Sequence, residues 1–69
     1  MRYLAYVTVR DRTRSGHGSE HECSHWFDSD ERVGSGGLVA DCVNSYRRRY
    51  GQALDVRVEK VLTESEAVE

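Results

Sequence analysis

The chain has 69 residues, of which 38% are hydrophobic and 32% charged, and its formal net charge at pH 7 is −2. That is enough for one domain near the lower size limit of a self-sufficient core, and too little to add a deep cavity of the kind that takes small molecules. The charge balance argues against a generic polyanion binder, and no stretch approaches the roughly twenty apolar residues of a helical membrane span.

Residues 2–9 (RYLAYVTV) are rich in β-branched and aromatic types, with Tyr3, Ala5, Val7 and Val9 on one face and Leu4, Tyr6 and Thr8 on the other. This pattern predicts a strand. It also turns basic by Arg10, unlike the unbroken apolar stretch of a secretory signal. A cytoplasmic protein is therefore expected, with Cys23 and Cys42 kept as thiols rather than forming a disulfide framework. Residues 10–18 (RDRTRSGHG) read as a hairpin loop, longer than the favoured two-residue turns.

In residues 19–28 (SEHECSHWFD), alternation sets His21, Cys23, His25 and Phe27 against Glu20, Glu22, Ser24 and Trp26. The odd set is less charged and is expected to face inward, on a second strand. Asp28 to Gly37 is dense in turn formers and reads as a loop. From Leu38 to Tyr50 the spacing is helical, and Val39, Cys42, Val43, Tyr46 and Tyr50 form one apolar stripe. Ser35 suits an N-cap, Gly51 suits the position after the helix, and Arg47, Arg48 and Arg49 suit the negative end of the helix dipole.

Leu54, Val56 and Val58 alternate with Asp55, Arg57 and Glu59 in a third strand. Val61 and Leu62 break that period, which predicts a bulge near Lys60. Residues 1–63 are read as one domain and residues 64–69 as a flexible acidic tail. The order β, β, α, β with a right-handed crossover predicts an α+β fold. In it, a single helix packs on one face of a three-stranded antiparallel sheet of order 2-1-3.

The sharpest local feature is His17, His21, Cys23 and His25, the last three on one side of a strand as metal-ligand types, with Cys42 as a fourth ligand candidate from the helix. The chain has no Cys-x-x-Cys knuckle. The expectation is therefore that the cysteines are small buried hydrophobes, the histidines sit at a sheet margin, and no cofactor is bound. Cys23 and His25 also lack a third orienting group or an oxyanion donor, so no enzymatic activity is expected. Gly34 to Gly37 precedes a helix but matches neither a phosphate-binding loop with lysine nor a dinucleotide turn.

Two surfaces remain for recognition. Arg10, Arg12 and Arg14 in the hairpin loop, with Arg47, Arg48 and Arg49 at the end of the helix and Tyr46 and Tyr50 as aromatics that could stack bases, form the basis of a nucleic-acid reading. Both tyrosines, however, lie on the helix's core stripe. The acidic segment 20–31 opposes that reading, and a GC-rich genome yields the same arginine bias. Leu4, Tyr6 and Trp26 fall on the sheet face turned away from the helix, and Trp and Tyr are favoured at interface hot spots. They are the expected site for a protein partner or a second copy of this chain, with the second strand also available as an edge.

Tyr3 and Tyr6, Gly16-His17-Gly18-Ser19, and Leu54 to Val58 together give an arrangement that resembles a loose group of small, uncharacterised phage or prophage proteins. In those, a tyrosine-bearing strand, a glycine loop, a second strand, a helix and a valine-rich strand follow one another. The resemblance spans most of the chain and carries no diagnostic motif. This chain departs from the pattern in its charged loop at 28–37 and its histidine-rich second strand. The resemblance implies a phage or mobile-element setting, and a role in binding a host or phage protein.

Overall fold

A computed structural model describes residues 1–11 and 20–68. Its elements are β1 (Arg2–Asp11), β2 (Glu20–Asp28), α1 (Gly36–Tyr50), β3 (Leu54–Thr63) and a short α2 (Glu64–Ala67). The strands form one sheet of order β2-β1-β3, with β1 antiparallel to both neighbours. The α+β arrangement read from the sequence is therefore the observed one. No helix among the described residues is long and apolar enough to cross a membrane.

Alternation along β1 places Tyr3, Ala5, Val7 and Val9 beneath α1, where all four are almost fully buried. They meet Phe27 from β2 and Leu38, Cys42 and Tyr46 from α1, while Leu54, Val56, Val58 and Val61 of β3 complete the layer half-buried. Tyr3 and Phe27 stack with ring centroids 5.7 Å apart. The Tyr3 hydroxyl leaves the apolar layer by donating to the Glu31 carbonyl at 2.7 Å.

The helix begins and ends at the residues that its capping chemistry selects. Ser35 has extended backbone angles and its hydroxyl accepts from the Gly37 N–H at 3.1 Å. Gly51 adopts φ 150°, a conformation almost confined to glycine, and its N–H donates to the Arg47 carbonyl at 2.8 Å. The buried stripe is rotated from the one expected. Leu38, Cys42 and Tyr46 are buried, whereas Val39 is 44% and Tyr50 57% exposed. Leu38 takes the inward position at the start of α1, and Val39 beside it lines a groove with Val58 and Val61 of β3.

In β3, Tyr6 pairs with Lys60 and Val7 with Val58, so Glu59 is the extra residue of a β-bulge. That is the irregularity expected near Lys60. Beyond it, the segment read as an acidic tail from residue 64 instead makes the helical turn α2. Thr63 accepts from the Glu66 N–H, and the Glu66 carboxylate accepts from the Thr63 N–H at 3.1 Å, a reciprocal capping box. The signature Thr-x-x-Glu stands in the sequence but is easily passed over at the end of a strand pattern.

Candidate functional site

The register of the sheet assembles the face opposite α1 in four rows. Trp26, Leu4 and Leu62 lie abreast, then Ser24, Tyr6 and Lys60, then Glu22, Thr8 and Arg57, then Glu20, Arg10 and Asp55. One end of this face is thus apolar and aromatic, and the other is a lattice of alternating charge. Both follow from strict period-two alternation in β1 and β2 and from the bulge at Glu59, which restores Leu62 to the same face as Leu4.

At the apolar end, Trp26 is 37% and Tyr6 44% exposed. They sit diagonally across the β1–β2 pair, close enough for aromatic side chains to share one patch. The Arg2 guanidinium lies over the Trp26 ring, 4.8 Å from its centroid. Leu4, expected on this surface, is only 8% exposed. It forms the floor of the patch between Trp26 and Leu62 rather than part of its outer surface.

At the charged end, Thr8 is buried among longer side chains and donates to Glu59 Oε1 at 3.0 Å. The same oxygen accepts from Arg57 Nε at 2.5 Å. These two donors, Arg57 first, hold the Glu59 carboxyl below the usual carboxylate range.

The arginines singled out for nucleic acid do not converge on one described surface. Arg12 and Arg14 lie outside the described residues. Arg10 is flanked across the sheet by Glu20 and Asp55. Arg47 donates from Nε to the Leu54 carbonyl at 2.8 Å and lies 4.0 Å from Asp55. Arg48 borders a polar depression with Asp28, Asp30 and Asp41. Tyr46 is a core residue, and Tyr50 is tilted against it with ring centroids 4.5 Å apart.

The histidine–cysteine cluster turns toward α1 as its alternation requires, but its members are engaged separately. His25 Nε2 is 3.0 Å from the Ser45 hydroxyl, and its ring is stacked with Phe27 and edge-on to Tyr46 and Tyr50. Burial, then the nearby Arg49 charge, lowers the His25 pKa from its ordinary value. Cys23 Sγ lies 3.4 Å from the Tyr46 hydroxyl. Burial pushes the Cys42 thiol up to about 11, the behaviour of an inert core cysteine. His21 is exposed, and His17 lies outside the described residues. Among the described residues no three His, Cys, Asp or Glu side chains gather as a metal-ligand set.

One clasp has no counterpart in the sequence reading. Ser29, buried in the loop after β2, donates to Asp41 Oδ2 at 2.5 Å and accepts from the Glu31 N–H at 3.0 Å. It ties the entry of α1 to the sheet. Its only signal is a serine between two aspartates, a pattern that turn propensity already accounts for. Compared with known proteins, the chain matches no family model, no curated sequence and no solved structure.

Proposed function

We propose that this chain is a noncatalytic protein-interaction module that binds a protein partner through the apolar end of its open sheet face. The observation that carries the reading is the exposed pair Tyr6 and Trp26 above the buried floor of Leu4. Half-exposed aromatics on a rigid three-stranded support lose little conformational entropy on docking, and they supply large contact area. The alternating charges of the neighbouring rows form a polar rim that selects among partners. The phage-like arrangement of the chain suggests a host or phage protein as that partner. Protein is favoured over nucleic acid because Arg10, Arg47 and Arg48 each stand beside carboxylates, which weakens their attraction for phosphate.

The test is affinity capture from the native host with the wild-type chain, a Tyr6→Ser/Trp26→Ser variant and an Arg48→Ala variant, each checked for folding by circular dichroism. A partner held by wild type and by Arg48→Ala but lost by the aromatic variant is the expected result. Equal retention by all three would refute the reading. Salt-sensitive capture of DNA or RNA lost with Arg48→Ala would replace it with the nucleic-acid alternative.

A further inference from the structure

The two edges of the sheet differ in a way that bears on self-association. Hydrogen-bond parity can be followed from the Met1–Ser29 pair, in which each backbone nitrogen donates to the other's carbonyl at 2.9 Å. Odd residues of β1 therefore turn their N–H and C=O groups toward β2, and even residues turn theirs toward β3. In the β1–β3 register Arg10 meets Asp55 and Thr8 meets Arg57. Leu54, Val56 and Val58 must then direct their backbone groups away from β1, to the outer edge. The Arg47 side chain reaching the Leu54 carbonyl agrees with this direction.

We propose that this outer edge is a self-association surface: two copies of the chain pair their β3 strands antiparallel about a twofold axis at Val56. Two three-stranded sheets become one continuous sheet. In this register Leu54 stands opposite Val58 of the second copy, Val56 opposite Val56, and Asp55 opposite Arg57. All of the outward backbone groups from Leu54 to Val58 meet a counterpart, which is the arrangement of hydrogen-bonded antiparallel pairs. Asp55 and Arg57 fall on the open face in a non-hydrogen-bonded pair, where side chains approach most closely and opposite charges attract. The Leu54 carbonyl has a second lone pair and accepts from the second copy beside Arg47.

Charge selects β3 over β2 for this role. The outward residues of β2 include Glu20, Glu22 and Asp28 and no cation, so two copies of β2 repel. Residues 54–58 instead read the same charge pattern in reverse sign from the other copy. The apolar layer agrees with this choice. Beside β3 runs a shallow groove of about 300 Å³ whose lining includes Val33, Val39, Val58 and Val61, and Val39 and Val33 are exposed. A strand added at this edge extends the sheet beside that groove and offers cover to the exposed Val39 and Val33.

The inference does not depend on the open-face reading, and one set of variants tests it. Solution mass by sedimentation equilibrium, over a wide concentration range, should approach twice the monomer mass for the wild type. Asp55→Arg or Arg57→Asp alone should weaken the dimer at least about tenfold, because two attractive cross-strand pairs turn repulsive. The Asp55→Arg/Arg57→Asp double variant should recover it, as should an equimolar mixture of the two single variants. A wild-type chain that stays monomeric overturns the proposal. So does a dimer that ignores both charge reversals, or one abolished by Tyr6→Ser/Trp26→Ser, which would seat the second copy on the open face.

Discussion

The two faces of β1 are built from the same ten residues and behave differently. Under α1, Tyr3, Ala5, Val7 and Val9 are sealed by a second layer of secondary structure. On the other face, Leu4 and Thr8 are also buried while Tyr6 between them is not. Here the cover is thin. It consists of side chains from the adjacent strands, Trp26 and Leu62 around Leu4 and Glu59 over Thr8. A three-stranded sheet with one helix thus has a core on one side and a shallow second layer on the other. The first sustains the fold, and the second leaves Tyr6 and Trp26 exposed.

This contrast predicts a hierarchy of effects. Leu38→Ala, which empties the centre of the sealed layer, should cost about 3 kcal/mol in urea unfolding, a large share of the stability of so small a domain. Trp26→Ser on the open face should cost about 1 kcal/mol, mainly the Arg2 contact and partial burial. Equal losses would mean that the open face is a second core and would erase the distinction.

A smaller effect should appear with pH. His25 is buried against Ser45, Tyr46 and Tyr50 with Arg49 nearby, and its folded pKa lies below its ordinary value of 6.5. The unfolded chain then binds the proton more readily than the folded one, so stability declines as pH falls below 6.5 toward the folded pKa. Unfolding midpoints measured on both sides of 6.5 should show this loss, and His25→Gln should flatten it. A slope unchanged in that variant would place the titration elsewhere. Smallest of all, Thr63→Ala removes the capping box and should cost about 1 kcal/mol or less, read as a slight fall in melting temperature. A larger loss would mean that α2 helps to hold β1 against β3, the two strands it touches.

The elements that repeat a period were legible before the structure. Alternation in Tyr3 to Val9 and in His21 to Phe27 marked both strands and their inward sides, and the disrupted period at Val61 and Leu62 marked the bulge. The Ser35 and Gly51 caps were legible because capping is local chemistry. The Tyr6–Trp26 patch followed from the same alternation, but the burial of Leu4 did not, since it depends on which residues stand abreast in the register. The histidines and cysteines illustrate the same limit. Their side of the strand was readable, whereas their separate partners, Ser45 for His25 and Tyr46 for Cys23, come from a helix whose rotation no local pattern specifies.

By itself, then, the sequence determined the strands, the helix with its caps, and which strand side chains share a face, because each is governed by neighbours within a few positions. Only the tertiary structure decided how far each face is covered. It rotated the helix onto Leu38, Cys42 and Tyr46, left Val39 exposed, sank Leu4 beside Trp26 and bound Ser29 to Asp41. The reason is geometric. Coverage depends on which residues stand abreast in the sheet, and on contacts between residues far apart in the chain.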